Sequence, residues 1–307
     1  MKNEDPYPEN VFASLSGLLK MEGLASGISF LAKHQKVKSI LGGKHASKLR
    51  GRGMDFEEVR VYVPGDDIRN IDWKVTAKTQ KTHAKVFSEE KEKPVLILVD
   101  QSRSMLFGSK VKTKALIATE IAAIAAFKIQ KEGDRVGGVV FAEEEVDIIY
   151  PKRNKKNILL FLERMVYHNR KLKDFKTGNR AQLLEETISK VKNIVTHDFL
   201  VILISDFIEY SEKVTRFLSK ISQHNDVILI KISDPMERNI PTEEIIFGDR
   251  EKQFTVPGNK EEIHEKFKVG FDQDLHHFEA HMQRHRIPII QINTIEPLEQ
   301  QLKNLFR

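Results

Sequence analysis

The chain has 307 residues and no cysteine, which excludes disulfides, thiolate metal ligands and nucleophilic thiols together and fits a reducing compartment. Lysine and arginine number 50 against 44 acidic residues, a formal charge of +6, and aromatics make up only 8%. That near balance argues against a nucleic-acid binder, which typically interleaves a basic stripe with stacking aromatics.

The first ten residues carry Glu4, Asp5 and Glu9 with two prolines and no basic-to-apolar progression, so no signal peptide is expected. The longest apolar helical stretch, 115–127, is interrupted by Glu120 and falls short of the roughly 20 apolar residues that cross a bilayer. A cytoplasmic protein without a transmembrane segment is the expectation. A helical N-terminal stretch comes first, followed by a segment at 49–92 rich in charge and turn residues, and the composition shifts near Pro94.

From there short β-branched runs alternate with helical patterns. The runs at 94–99, 135–141, 199–204, 227–232 and 287–292 are almost continuously apolar, as strands buried on both faces must be, and 144–150 is suited to an edge strand. Helical patterns lie between them at 112–131, 157–166, 182–195, 212–223, 261–284 and 297–306. This predicts a doubly wound, mostly parallel α/β sheet of Rossmann type over 94–307, preceded by a helical and irregular extension over 1–93. Residues 234–259, with Pro235, Pro241, Gly248 and Pro257, interrupt the alternation and read as a loop or small hairpin.

Two of the buried strands run into aspartates, Asp100 and Asp206, and in a parallel sheet these ends share the edge where ligands bind. Ser102 and Ser104 follow Asp100 at alternate positions. Two carboxylates and two hydroxyls form an all-oxygen set suited to a hard divalent cation, magnesium best of all. Taken alone, the Asp-x-Ser-x-Ser string is better explained by strand-end turns and a helix cap. The second strand ending in Ser205-Asp206 and the Gly133-Asp134-Arg135-Val136 turn favour the metal reading.

At these residues the chain resembles the von Willebrand factor A family over roughly 94–307. The family's adhesion site uses Asp-x-Ser-x-Ser, a threonine on a second loop and an aspartate on a third. The resemblance implies direct ligation of Mg2+ by Ser102 and Ser104, water-mediated roles for Asp100 and Asp206, and an open position for a partner's carboxylate. Ala181 stands where the threonine is expected, with Thr177 as a substitute on the same loop, so weakened metal affinity is implied.

Upstream, the string containing Arg60, Tyr62, Gly65, Asp66, Asp67, Arg69, Asp72 and Trp73 closely resembles the motif of the family named domain of unknown function 58. Arg60, Arg69 and Lys74 are spaced to pair with Asp66, Asp67 and Asp72 and so to lock the segment onto the sheet domain, and Trp73, the sole tryptophan, reads as a buried anchor. The resemblance implies a partnership with a MoxR-type AAA+ ATPase, hence a non-enzymatic adaptor in the remodelling or maturation of client proteins.

No Gly-x-x-x-x-Gly-Lys-Ser/Thr loop, nucleophile-elbow pattern or His-Glu-x-x-His occurs. A magnesium-dependent phosphohydrolase is the alternative, since strand-end aspartates also build phosphoryl-transfer sites, although Gln101-Ser102 follows Asp100 where a second carboxylate is wanted. Nucleic-acid binding through the basic clusters at 152–156 and 170–176 ranks below it. His277, His281 and His285 recur at helical spacing and offer a transition metal one face, but a half-exposed polar face explains them better without a ligand from a second segment.

Overall fold

The computed structural model describes residues 7–27, 46–47, 54–90, 93–143, 145–174, 180–208, 210–238, 245–248, 253–256 and 261–306. The chain divides into two compact units, one formed by 1–42 with 94–307 and the other by 43–93. The N-terminal stretch and the Arg/Asp-rich segment, expected to form one extension, therefore fall in different units.

In the larger unit, helix α1 is Leu15–Gly27. In the smaller unit, strands β1 (Ala46–Ser47), β2 (Met54–Val61) and β3 (His83–Glu90) form an antiparallel sheet in the order β1-β3-β2, with helix α2 at Trp73–Thr79. Gly65 turns the chain with φ at +108°, a left-handed conformation that a side chain would strain. Asp66 holds this turn by accepting from Val63 N at 3.0 Å and from Arg60 at 2.7 Å. The backbone bond from Val63 and the Arg60 guanidinium keep its carboxyl below the usual aspartate range.

Arg69 lies 3.4 Å from Asp67, which also accepts from the Arg69 backbone at 3.0 Å. Asp72 caps α2 through Lys74 N and Val75 N at 3.0 and 3.1 Å, and the cation beside it is Lys85 at 3.6 Å rather than the Lys74 ammonium. The pairs expected of Arg60 with Asp66 and of Arg69 with Asp67 thus form, and at Asp72 helix capping takes the bonds expected to serve pairing with Lys74. Trp73 is not a buried anchor: as the first residue of a two-turn helix on a small sheet it is 71% exposed, and Ile68 is 67% exposed.

The larger unit is built on a six-stranded sheet. Its strands are β4 (Pro94–Asp100), β5 (Arg135–Phe141), β6 (Val146–Lys152), β7 (Leu200–Ser205), β8 (Asp226–Ser233) and β11 (Ile289–Asn293). Their spatial order is β11-β8-β7-β4-β5-β6, parallel throughout except for β6, which runs antiparallel to β5 at the edge. This is the doubly wound arrangement expected, with the reversal of strand order falling between β4 and β7. The interruption after β8 holds a one-turn helix, α7 (Pro235–Arg238), and an antiparallel hairpin of β9 (Ile245–Gly248) and β10 (Gln253–Val256).

Each sheet face carries its own core. One gathers Val95, Ile97 and Val99 with helices α3 (Lys114–Lys131) and α4 (Lys155–Lys171). The other gathers Leu96 and Leu98 with α5 (Arg180–Ile194), α6 (Glu212–Ile221) and the C-terminal part of α8 (Glu261–Arg284), where Phe278 and Met282 are buried. Helix α3 is alanine-rich and buried almost all round, because α1 packs on it and contributes Leu18 and Ala25, with Ala13 just before it, to the same core. A final helix, Leu298–Phe306, adds Leu298 and Leu302.

One buried amide ties the N-terminal part to the sheet edge. Asn169 accepts from Ala13 N at 2.6 Å and donates to Gln101 Oε1 at 2.9 Å, while Gln101 donates to the carbonyls of Asp100 and Ala115. Asn169→Ala leaves a buried N–H and a buried amide oxygen without these partners, and each such loss costs about 1–3 kcal/mol. Urea denaturation is expected to show a loss in that range, and a change under about 0.5 kcal/mol would mean the bridge is energetically idle.

Candidate functional site

The site lies at the C-terminal edge of β4 and β7, at the point where strand order reverses. Parallel pairing of Val99 with Ile204 brings Asp100 beside Ser205, and Ser205 Oγ donates to Asp100 Oδ2 at 2.6 Å. Asp100 Oδ1 accepts from Ser102 N at 2.8 Å, an Asx-type turn that swings the following loop back over the strand ends. Ser102 Oγ and Ser104 Oγ then stand 3.5 Å apart, and Ser104 Oγ donates to Asp206 Oδ2 at 2.9 Å. Asp100, Ser102 and Ser104 converge on one rim with Asp206, which lies 102 residues beyond Ser104 in the chain.

Thr177 lies outside the described residues. Asp234, at the end of β8, accepts from Met236 N at 2.9 Å as a loop-start residue, and from Ser109 N at 2.8 Å and Thr294 Oγ1, so it anchors the loop that follows the rim. Burial works against its ionised form, but the bonds from Thr294, Ser109 and Met236 outweigh that and hold its carboxyl below the usual aspartate range.

Two lysines complete the site. Lys114, the first residue of α3, is 1% exposed, and its Nζ donates to Asp206 Oδ2 at 2.7 Å and to Glu237 of the helix after β8. Burial alone would push its pKa down, but the two carboxylates reverse this and raise it, so it is an ammonium at neutral pH. Lys231, inside β8, donates to the Asp206 carbonyl at 2.8 Å, and its burial pushes its pKa down. The sequence held a signal for both. Lys114 opens a helix whose positions 117, 118 and 121 are apolar, and Lys231 interrupts an apolar strand; a cation on a buried face requires a partner.

This geometry bears on the expected magnesium ion. Two hydroxyls and two carboxylates are the right donors for a hard cation, but the Asp206 oxygen that Ser104 touches already carries an ammonium. A divalent ion among these oxygens would sit a few ångströms from Lys114 Nζ, and at an effective dielectric of about 20 even two unit charges about 4 Å apart repel by roughly 4 kcal/mol. Ser102, Asp100 and Asp206 are each no more than 2% exposed. Among the described residues no three His, Asp or Glu side chains are grouped to hold a metal. As built, the rim fits a divalent ion in its donor atoms and not in its charge.

Asp100 has both oxygens engaged beneath the rim, a poor arrangement for an attacking nucleophile. The histidine face of α8 brings the rings of His281 and His285 to 5.4 Å, and His285 Nδ1 shares a hydrogen bond with Ser219 Oγ.

The sequence profile of the family described as protein of unknown function DUF58 matches residues 58–276, spanning most of the smaller unit's motif and strands β4 to β8 of the sheet and ending within α8. The chain belongs to the DUF58 family. Its fold is the six-stranded, doubly wound α/β sheet with one antiparallel edge strand described above.

Among curated relatives, the uncharacterized proteins Rv1480 of Mycobacterium tuberculosis and Mb1516 of Mycobacterium bovis are each 26% identical to this DUF58 chain over 211 residues. That stretch is 69% of this chain and 65% of theirs. Among solved structures, the conserved hypothetical protein BatB from Bacteroides thetaiotaomicron superposes with a TM-score of 0.43 at 16% identity, over 68% of this chain and 95% of that one. An aerotolerance-related membrane protein from Bacteroides fragilis gives 0.42 at 17% identity, over 69% and 95%. The von Willebrand A domain of SpRpn10 gives 0.38 at 13% identity, over 70% and 95%. Among the described residues of the DUF58 chain no helix is long and apolar enough to cross a membrane.

Proposed function

We propose that this protein is a non-catalytic docking module whose rim at the β4/β7 edge engages a partner protein, and that the partner is a MoxR-type AAA+ ATPase or its client. The reading is carried by the convergence of Ser102, Ser104 and Asp206 beside the reversal of strand order, where open α/β sheets present their ligand sites. The hydroxyls there are hydrogen-bonded to carboxylates in the pattern of a fixed scaffold: Ser104 to Asp206 and Ser205 to Asp100. A nucleophilic serine needs a general base on its hydroxyl, and these neighbours are strand-end aspartates already tied to backbone amides or to Lys114.

The surface presented is the half-buried turn Arg103–Leu106 and Phe107, with Arg103 N fixed by Glu143 at 2.6 Å. A rigid loop over a buried polar floor suits recognition, because little ordering entropy is lost on docking. The partner class follows from the family's implied link to MoxR-type ATPases and from the lack of a phosphate-cradling loop in this chain.

Calorimetry of the purified chain against a MoxR-type ATPase, in its ATP- and ADP-bound states, tests the reading. Saturable binding is expected, and Ser104→Arg, which places bulk and charge on the rim, is expected to abolish it. Binding that Ser104→Arg leaves intact would move the interface elsewhere, and no binding in either nucleotide state would remove the ATPase as partner.

A further inference from the structure

The rim of a docking domain of this architecture is expected to hold a metal ion, yet the cation present here is covalently part of the chain. We propose that the Lys114 ammonium is the resident cation of the rim, so that the site is assembled without a divalent ion and admits one only when Lys114 is removed or released. The proposal concerns the same rim as the docking reading but depends on no partner.

Three features support it. Lys114 Nζ binds the carboxylate oxygen of Asp206 that also accepts from Ser104, so the ammonium stands at the convergence of the expected donor set. It is held from a second side by Glu237, which leads back through its own carboxylate to Asp234 N at 2.9 Å, and thereby to the loop anchored at Ser109. Its charge is opposed to Asp206 and Glu237 in a buried setting, and Lys231 adds a further amine at the Asp206 carbonyl. A tethered ammonium has no coordination sphere to complete and leaves no open position for a partner's carboxylate. Docking therefore uses the shape and polarity of the loop, in place of a shared metal.

The test measures Mn2+ as the probe ion, by electron paramagnetic resonance of free ion and by calorimetry, on the full chain without any partner. Wild type is expected to show no Mn2+ binding that depends on Ser102 or Ser104. In Lys114→Met, which keeps the length of the side chain and removes the charge, Mn2+ is expected to bind more tightly by on the order of a hundredfold or more, since a unit charge a few ångströms away no longer repels it. That binding is expected to disappear when Ser104→Ala is added. Lys114→Gln, which removes the charge and can keep hydrogen bonds to Asp206 and Glu237, is expected to give the same gain even if Lys114→Met fails to fold.

Wild-type binding of Mn2+ that is lost on Ser104→Ala overturns the proposal at once, with no other variant needed. So does an affinity unchanged by Lys114→Gln and, where it folds, by Lys114→Met. Each result is read on chain and ion alone, so the proposal and the docking reading can stand or fall separately.

Discussion

Lys114→Met is expected to destabilise the larger unit by about 3–5 kcal/mol, because removing one partner of a buried ion pair leaves the other charge desolvated and uncompensated. Here two carboxylates lose their ammonium together: Asp206, 1% exposed, and Glu237. A typical domain is stable by only about 5–15 kcal/mol, so the variant would lie near the edge of folding at ambient temperature. Urea denaturation followed by circular dichroism measures the loss. A deficit below about 1 kcal/mol would mean that water reaches the pair and screens it, as at an exposed bridge. Pairing Lys114→Met with Glu237→Gln in a double-mutant cycle separates their coupling from the two single losses.

The second large effect concerns the sheet. Gly138 lies in β5 directly under α4, where a built Cβ would stand 2.1 Å from the ring of Phe161, a side chain that is itself 1% exposed. Gly138→Ala therefore forces either ring or strand to move, and overpacking of this kind costs about 1–3 kcal/mol. Neighbouring Gly137 meets backbone instead, with a built Cβ 2.5 Å from the Ile149 carbonyl oxygen of β6. The same denaturation measurement applies. Phe161→Leu placed beside Gly138→Ala is expected to recover part of the loss by making room, and a double variant no better than the sum of its parts would point to strain in the backbone rather than at the ring.

These cases show what the sequence discloses and what it withholds. The β4 and β7 runs were legible because a strand covered on both faces has no solvent side, so its apolar residues do not alternate and its boundaries are sharp. The convergence of Asp100, Ser102, Ser104 and Asp206 was legible too, since parallel strands with right-handed crossovers deliver their ends to one edge. The place of Lys114 in the site is harder to read from sequence. A lysine at a helix start looks like solvated surface despite the apolar positions that follow it, and only the placement of Asp206 and Glu237 beside it shows why it turns inward.

The Gly137-Gly138 pair read as ordinary strand, because a helix ring pressed against a strand leaves no mark in the strand's own pattern. Composition alone misplaces Trp73. Tryptophan is on average well buried, but a short helix on a three-stranded sheet has little core in which to place an indole.

The position of that single indole has a practical bearing on every denaturation experiment above. A chromophore already surrounded by solvent in the folded chain has little further to travel toward water when the chain melts, so its emission will barely shift in colour as the larger unit comes apart. Intrinsic fluorescence would report a quiet baseline through a complete loss of the six-stranded sheet, and backbone dichroism is the signal that follows it.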